Sequence, residues 1–151
     1  MKKILLGMAL LAGFASCSKE DVSGEDDKVK TGFYKAVTTF SSSTAGEKTP
    51  VNVTMAFATE GNLYTYNPDG TVKKIDGKVY NINEYASVKD TTVTVFTDNN
   101  NLLSVSFIAV STEDGNKLSY DMSIYRNEEK IETFKEKDVV LDSGKDKTII
   151  Y

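Results

Sequence analysis

The sequence predicts an all-β domain, because apolar residues alternate with polar ones and turn residues separate the alternating runs. The alternation has a period of two along three segments, 51–58, 103–109 and 118–124, which is the pattern of half-buried strands. A fourth segment, Thr91–Thr97, is β-branched almost throughout. Gly, Asn, Asp and Pro lie between the runs in combinations that suit tight turns, such as Asn67–Gly70.

The turn residues divide the chain from Gly32 onwards into short strands. We predict them over 32–41, 50–59, 62–67, 71–75, 78–88, 91–98, 102–111, 117–126 and 129–136. A final short strand is expected at either Val139–Leu141 or Thr148–Tyr151. The segment 127–137 has two interpretations, since its Glu and Lys content favours a helix, but the strand ending at Arg126 needs an antiparallel partner. We expect a strand there.

Two architectures fit this many short antiparallel strands joined in sequence. The first is an up-and-down β-barrel of about eight strands. The second is a two-layer β-sandwich, in which the two sheets bury their apolar faces against each other. Because turn follows turn with few long connections, we expect the barrel and keep the sandwich as the alternative.

Residues 1–17 have the parts of a bacterial export signal. The basic pair Lys2-Lys3 precedes an apolar stretch over 4–15, and small residues come before Cys17. The stretch is shorter than the roughly 20 apolar residues that a membrane-spanning helix needs. The segment resembles the signal peptides of bacterial lipoproteins, with Phe14–Cys17 as the lipobox. The resemblance implies cleavage before the cysteine, a diacylglycerol thioether on its sulfur and a fatty acid such as palmitate on its amine.

The chain therefore divides into a signal peptide (1–16), a lipidated flexible acidic tether (17–30) and a single β domain (31–151). The acidic segments of the tether, Ser18–Asp21 and Glu25–Asp27, resemble export signals of surface lipoproteins in some Gram-negative bacteria. That resemblance implies a protein anchored in the outer membrane through its lipid and exposed at the cell surface. The alternative location is the periplasmic face.

A second resemblance concerns the middle of the β domain. The run Leu63–Val72, followed by Gly77–Tyr80, looks like the middle of small bacterial lipocalin-like lipoproteins, where an aromatic strand meets an Asp-Gly turn. Gly32–Tyr34 stands in the place of their opening Gly-x-Trp motif. The resemblance implies a barrel that binds a small ligand in its open end.

Composition argues against several function classes. The chain has no histidine and one cysteine, so it lacks an imidazole base, a catalytic Ser-His-Asp set and a thiolate metal site. We therefore predict neither an enzyme nor a cofactor or metal site, although chemistry by carboxylates alone stays open. Without residues 1–16 the chain keeps 16 basic and 22 acidic side chains. Arg126 is the only arginine, so we expect no nucleic-acid binding.

Two functions remain for the β domain. In the first, it binds a small apolar or glycan ligand; the candidate residues are Tyr64 and Tyr66, on one face of a strand, and Tyr80 on the next long strand. In the second, it is a structural, adhesion or assembly subunit of an outer-membrane complex. There it binds a protein partner through an edge strand, for which we expect Thr91–Thr97. A filled core with a free strand edge favours the second function.

Overall fold

The computed structural model describes residues 34–43, 51–98 and 101–151, which form strands and turns. The predicted signal peptide, Cys17 and the acidic tether lie outside these residues. The strands are β1 (Tyr34–Ser43), β2 (Val51–Ala58), β3 (Leu63–Tyr66), β4 (Val72–Ile75), β5 (Val79–Tyr85), β6 (Thr91–Thr97), β7 (Ser104–Ser111), β8 (Asn116–Arg126), β9 (Glu129–Leu141) and β10 (Asp146–Ile150). The all-β prediction is confirmed. Within the described residues no helix is long and apolar enough to cross a bilayer.

The strands form two antiparallel sheets, which is the two-layer alternative and not a single up-and-down barrel. The six-stranded sheet has the order β4-β3-β6-β1-β8-β9, and the four-stranded sheet has the order β10-β7-β2-β5. Only the β3–β4 and β8–β9 connections join neighbours in these sheets; the others cross between sheets. The expectation of a barrel was therefore wrong, because alternation identifies the buried face of a strand but not the strand beside it.

The segment 127–137 is part of a hairpin, as expected. β9 pairs with β8 from Arg126 opposite Glu129 to Asn116 opposite Leu141. The two turn residues, Asn127 and Glu128, have φ of 50° and 69°, the left-handed values that a two-residue hairpin turn requires. The tertiary pairing outweighs the helix propensity of the segment. β9 also includes Val139–Leu141, and β10 lies close to the second position expected for the last strand.

Apolar side chains from both sheets fill the space between them. The largest side chains with almost no exposed surface are Phe40, Phe57, Phe96, Phe107, Met55, Leu63, Leu103, Leu118, Met122 and Ile124, and all but Phe96 belong to the core between the sheets. Phe107 of β7 joins the sheets, since its ring centroid lies 6.2 Å from that of Phe40 and 5.4 Å from that of Tyr120. Burying one such side chain contributes about 1.5–3 kcal/mol.

The two sheets are flush along one side and staggered along the other. On the flush side, Lys147 of β10 forms an ion pair of 2.9 Å with Glu136 of β9. On the staggered side, β5 faces β6 and the end of β3, because side chains of all three strands line one cleft. The β3–β4 hairpin therefore extends beyond the last strand of the four-stranded sheet.

Candidate functional site

The staggered side contains a cleft of about 410 Å³ between β5 and the six-stranded sheet. Apolar and aromatic side chains from both sheets line it: Tyr66, Pro68, Tyr80, Ile82 and Val93. Hydroxyl groups of Thr65 and of the β6 threonines and one carboxylate, that of Glu84, add polar groups. The cleft exists because no described strand of the four-stranded sheet lies beyond β5.

The outer edge of β5 has no partner strand among the described residues. β5 is the last strand of its sheet, and it pairs without a register shift with β2, from Tyr85 opposite Asn52 to Val79 opposite Ala58. The strand reads VYNINEY and carries a single charge, at Glu84. An unpaired edge presents backbone N–H and C=O groups to which another extended chain can bind.

The other edges carry features that oppose such pairing. β4 has four residues, of which Lys73 and Lys74 are two. β9 is charged at more than half of its positions and is bent by two register shifts against β8. The ion pair from β9 holds β10. Short length, charge, bulges and covering protect sheet edges, so β5 is the least protected edge of the described sheets.

Two of the three tyrosines expected at a ligand site line this cleft. Tyr66 ends β3 with 41% of its surface exposed, and Tyr80 projects from β5. The Tyr80 ring stacks on Phe57 with a centroid distance of 6.3 Å, which holds it at the wall of the cleft. The Tyr66 ring lies 5.2 Å from Phe96. The Tyr66 ring therefore shares the outer face of β3 with Tyr64, which stacks on the same Phe96 ring, and it borders the cleft at its rim.

Tyr64, the third expected residue, lies outside the cleft on the outer face of the six-stranded sheet. Its ring stacks on Phe96 at 5.6 Å, and its hydroxyl donates to Asp98 Oδ2 at 3.0 Å. Asn62 Nδ2 donates to the same oxygen at 2.8 Å. Burial opposes ionisation of Asp98, but the bonds from Asn62 and Tyr64 outweigh it and lower the pKa of the carboxyl group. Tyr64 therefore fixes the end of β6.

The structure differs from the expectation that Thr91–Thr97 is an exposed edge. β6 lies inside the six-stranded sheet, between β1 and β3. It pairs with β1 over Thr91–Phe96, whereas β3 pairs only with Val95–Thr97. β3 is too short to cover the first half of β6, so that half borders the cleft. The sequence pattern gave no indication of this length mismatch.

A second groove, of about 570 Å³, lies on the outer face of the six-stranded sheet, over β1, β8 and β9. Its floor carries hydroxyl groups from two strands, Thr39, Ser41, Ser119 and Ser123. β9 forms one wall, and it bends where Asp138 has a φ of 54° and donates its backbone N–H to Ser119 Oγ at 3.1 Å. The groove is open and polar.

Three adjacent strands place Lys35, Tyr125 and Lys130 in one row at the end of this groove. Tyr125 pairs in register with Lys35 on one side and with Lys130 on the other. The two ammonium nitrogens lie 4.9 Å and 5.6 Å from the Tyr125 ring centroid. Such distances allow a cation–π attraction of about 0.5–1 kcal/mol at an exposed site.

The acids beside this row are already paired with other lysines. Asp121 forms an ion pair of 2.8 Å with Lys135, and the bond from Lys135 lowers the pKa of that carboxyl group. Glu136 is held by Lys147, whose bond lowers the pKa of the Glu136 carboxyl group. Among the described residues, Lys35 and Lys130 have no carboxylate partner within ion-pair distance, and the more distant Lys130 charge also contributes to the lowered pKa of Asp121.

Sequence reasoning missed Ile82, Val93 and Tyr125. The first two continue the alternation of their strands, but only the stagger of the sheets exposes them in a cleft. Tyr125 alternates with buried residues, and only the cross-strand register reveals the lysines on both sides of it. No group of three His, Cys, Asp or Glu side chains suited to a metal ion occurs in the part of the chain that the structure describes.

Solved structures of two bacterial proteins share this fold. One is a domain of unknown function, DUF4425, from Bacteroides vulgatus, with a TM-score of 0.58 and 19% sequence identity over 80% of this chain and 94% of that one. The other, a DUF4425 family protein from Bacteroides ovatus, has a TM-score of 0.51 and 18% identity over 80% of this chain and 95% of that one. No family model and no curated protein matches the chain. At this identity the likeness concerns the fold alone.

Proposed function

We propose that the protein is a lipid-anchored subunit of the cell envelope whose β domain binds an extended segment of a partner protein beside β5. One observation carries this proposal: an unpaired, regular strand edge borders a cleft lined by aromatic and aliphatic side chains. A strand added to β5 would lie opposite β3 of the six-stranded sheet, at a position where the four-stranded sheet has no described strand.

The chemistry of the cleft suits a β-strand better than a compact ligand. The backbone of an added strand would bond to the edge of β5, which provides affinity without sequence preference. Every second side chain of that strand would enter the cleft against Tyr80, Ile82 and Val93. Apolar residues at alternating positions are therefore the expected feature of the partner segment.

The envelope location is part of the proposal and rests on the N-terminal sequence. Two lipid chains on Cys17 would make anchoring effectively permanent, since each buried CH₂ contributes about 0.8 kcal/mol. Labelling with a fatty-acid analogue tests the anchor, because label should enter the natural chain and be absent from Cys17→Ala. Protease treatment of intact cells tests the location: cleavage supports exposure at the surface, and full protection supports the periplasmic face.

A photo-crosslinking amino acid at Asn81, on the exposed side of β5, tests the partner site in the native host. We expect one predominant crosslinked protein, and slower amide hydrogen exchange along 79–85 when that protein is bound. Ile82→Lys should abolish both effects, because it places a charge in the cleft. Ile150→Lys on β10 is the matched control, since Ile150 is 76% exposed. Crosslinking that survives Ile82→Lys would contradict the proposal.

Two variants on β5 test whether side chains in the cleft contact the partner. Tyr80→Ala removes a ring from the cleft, whereas Tyr85→Ala removes a ring that is 69% exposed and lies outside it. We expect the first variant to weaken partner binding by about 1–2 kcal/mol and the second to leave it unchanged. Equal effects would indicate that the partner does not enter the cleft.

Binding of a small polar ligand is a second proposed function, and the open groove over β1, β8 and β9 favours it. The groove combines hydroxyl groups, an aromatic ring and charged side chains, which are the groups that orient polar ligands in protein sites. The space between the sheets is filled by apolar side chains, so the proposed ligand site is on the outer face and not inside the domain.

A further inference from the structure

We propose that the groove over β1, β8 and β9 binds an acidic sugar, such as a uronate or a sulfated residue, with its anionic group between Lys35 and Lys130. This inference rests on the second proposed function and adds the chemical class of the ligand. The row of Lys35, Tyr125 and Lys130 is the feature that selects it.

The charge of the groove favours an anion at one end. Asp121 and Glu136 line the groove, but Lys135 and Lys147 neutralise them at 2.8 Å and 2.9 Å. Lys130 lines the groove without such a partner among the described residues, and Lys35 lies beside it across the Tyr125 ring. An anion beside that ring would lie near both ammonium groups, and its binding would leave the existing ion pairs intact.

The aromatic ring favours a sugar over a simple ion. Tyr125 offers a ring face at a groove that is otherwise polar, and the C–H face of a pyranose packs on such a ring. The ammonium groups of Lys35 and Lys130 lie over this ring, so a sugar packed on it would displace at least one of them toward the acidic group of the ligand. A free sulfate or phosphate ion would gain nothing from it, so dependence on the ring separates the two kinds of ligand.

The remaining groups of the groove match sugar hydroxyls. Asp121 and Ser123 precede Tyr125 on β8, and Thr39 lies opposite Asp121 on β1. At successive rows of the sheet, the hydroxyl groups can donate and accept hydrogen bonds and the carboxylate can accept them, along a chain of two or three sugar residues. The flexible lysine side chains provide compact positive charges that can follow the position of a carboxylate or sulfate group. Arg126 does not line the groove.

Calorimetric titration of the chain from residue 17 onwards, with Cys17→Ala to keep it in solution, tests the inference. The probes are tetragalacturonate, a heparin-derived tetrasaccharide, neutral maltotetraose and inorganic sulfate. We expect at least one acidic oligosaccharide to bind at least about tenfold more tightly than maltotetraose and sulfate. Tyr125→Ala and Lys130→Ala should each weaken that binding about fivefold or more.

Three control variants separate the ligand chemistry from the fold. Tyr125→Phe keeps the ring and should retain affinity within about threefold. Lys145→Ala, in the exposed turn between β9 and β10, removes the same charge away from the groove and should change nothing. Urea denaturation of each variant shows whether the sandwich is intact.

The outcomes distinguish this inference from the function on which it rests. If maltotetraose binds as tightly as the acidic oligosaccharides, the groove binds a small ligand, but the proposal that this ligand is acidic is wrong. If sulfate binds as tightly as the acidic oligosaccharides, or if the Tyr125→Ala variant binds them with unchanged affinity, the ligand is not recognised as a sugar and the inference fails. If none of the oligosaccharides binds, both the inference and the second proposed function fail, whereas the proposal for β5 is unaffected.

Discussion

The two lateral sides of the sandwich differ in how they end. On the flush side, β9 and β10 lie together, and an ion pair and the Phe134 side chain close the gap between the sheets. On the staggered side, β5 is the last strand of the four-stranded sheet, and no described strand of that sheet lies opposite the β3–β4 hairpin. A cleft remains there. β9, on the flush side, is charged at more than half of its positions, whereas β5, on the staggered side, carries a single charge. Sheet edges are normally protected, so the unprotected edge beside the cleft is the feature on which the proposed partner site rests.

The largest expected effect concerns the core beneath the flush side. Phe107→Ala should lower the free energy of unfolding by about 3–5 kcal/mol, because the Phe107 ring is fully buried and contacts rings of the opposite sheet. Tyr85→Ala, on the open side, should change it by less than about 0.5 kcal/mol. Urea denaturation measures both. A similar loss in both variants would show that the two sides are equally packed.

The next effect concerns the end of β6 on the open side. Asp98→Ala removes the acceptor for both Asn62 and the Tyr64 hydroxyl. We expect a loss of about 1–3 kcal/mol, since two donors lose their partner. Tyr64→Phe removes one of those bonds and should cost about 1 kcal/mol. If Asp98→Ala leaves the urea midpoint unchanged, Asp98 does not hold this edge.

Acid should weaken both sides, but for different reasons. The pKa values of Asp98, Asp121 and Glu136 are all lowered in the folded chain, from ordinary values of 3.8, 3.8 and 4.5. A lowered pKa contributes stability that is present above the ordinary value and is lost as pH falls through the folded value. We therefore expect the urea concentration at the midpoint of unfolding to decrease as the pH falls below about 4.5.

Salt separates the two contributions to this acid response. The ion pairs of Asp121 and Glu136 are exposed and are screened by salt, whereas the bonds to Asp98 come from neutral donors. In about 0.5 M NaCl the remaining loss on acidification should therefore depend on Asp98 and on Asp69, whose pKa is lowered by hydrogen bonds from Thr71. Asp98→Asn should reduce the change of the urea midpoint with pH at this salt concentration. An acid response that Asp98→Asn leaves intact at high salt would place the titrating groups elsewhere.

The smallest expected effect is at the contact that closes the flush side. Lys147→Met breaks the ion pair with Glu136, in which the two side chains are 29% and 43% exposed. We expect a loss below about 1 kcal/mol that shrinks further with added salt. A larger loss would mean that this pair, and not the packing of Phe107, holds β10 beside β9.

Much of the fold could be predicted from the sequence because local patterns determine local structure. The period of two in Val51–Ala58 identified a half-buried strand, and Asn67–Gly70 identified a hairpin turn. The pairing of that strand with β5 and β7 could not be predicted, since any neighbour satisfies the same alternation. The cleft depends on the stagger of two sheets, which arises only from that pairing. Tyr66 and Tyr80 were expected at a site for their residue type, and their juxtaposition comes from the stagger.

The register of β1 determines which end of the domain lies next to the N-terminal segment and which end carries the cleft. The described chain enters the domain at Tyr34, next to Arg126 and the β8–β9 turn. Phe40, at the other end of β1, lies opposite Thr91, where the cleft opens. If the lipid is on Cys17, the segment that leads to Tyr34 attaches at the end of the strands away from the cleft. Fully extended it spans at most about 60 Å. The cleft and the β5 edge would then lie at the end of the domain away from the anchor, and a flexible tether of that length would let them reach neighbours in the same membrane.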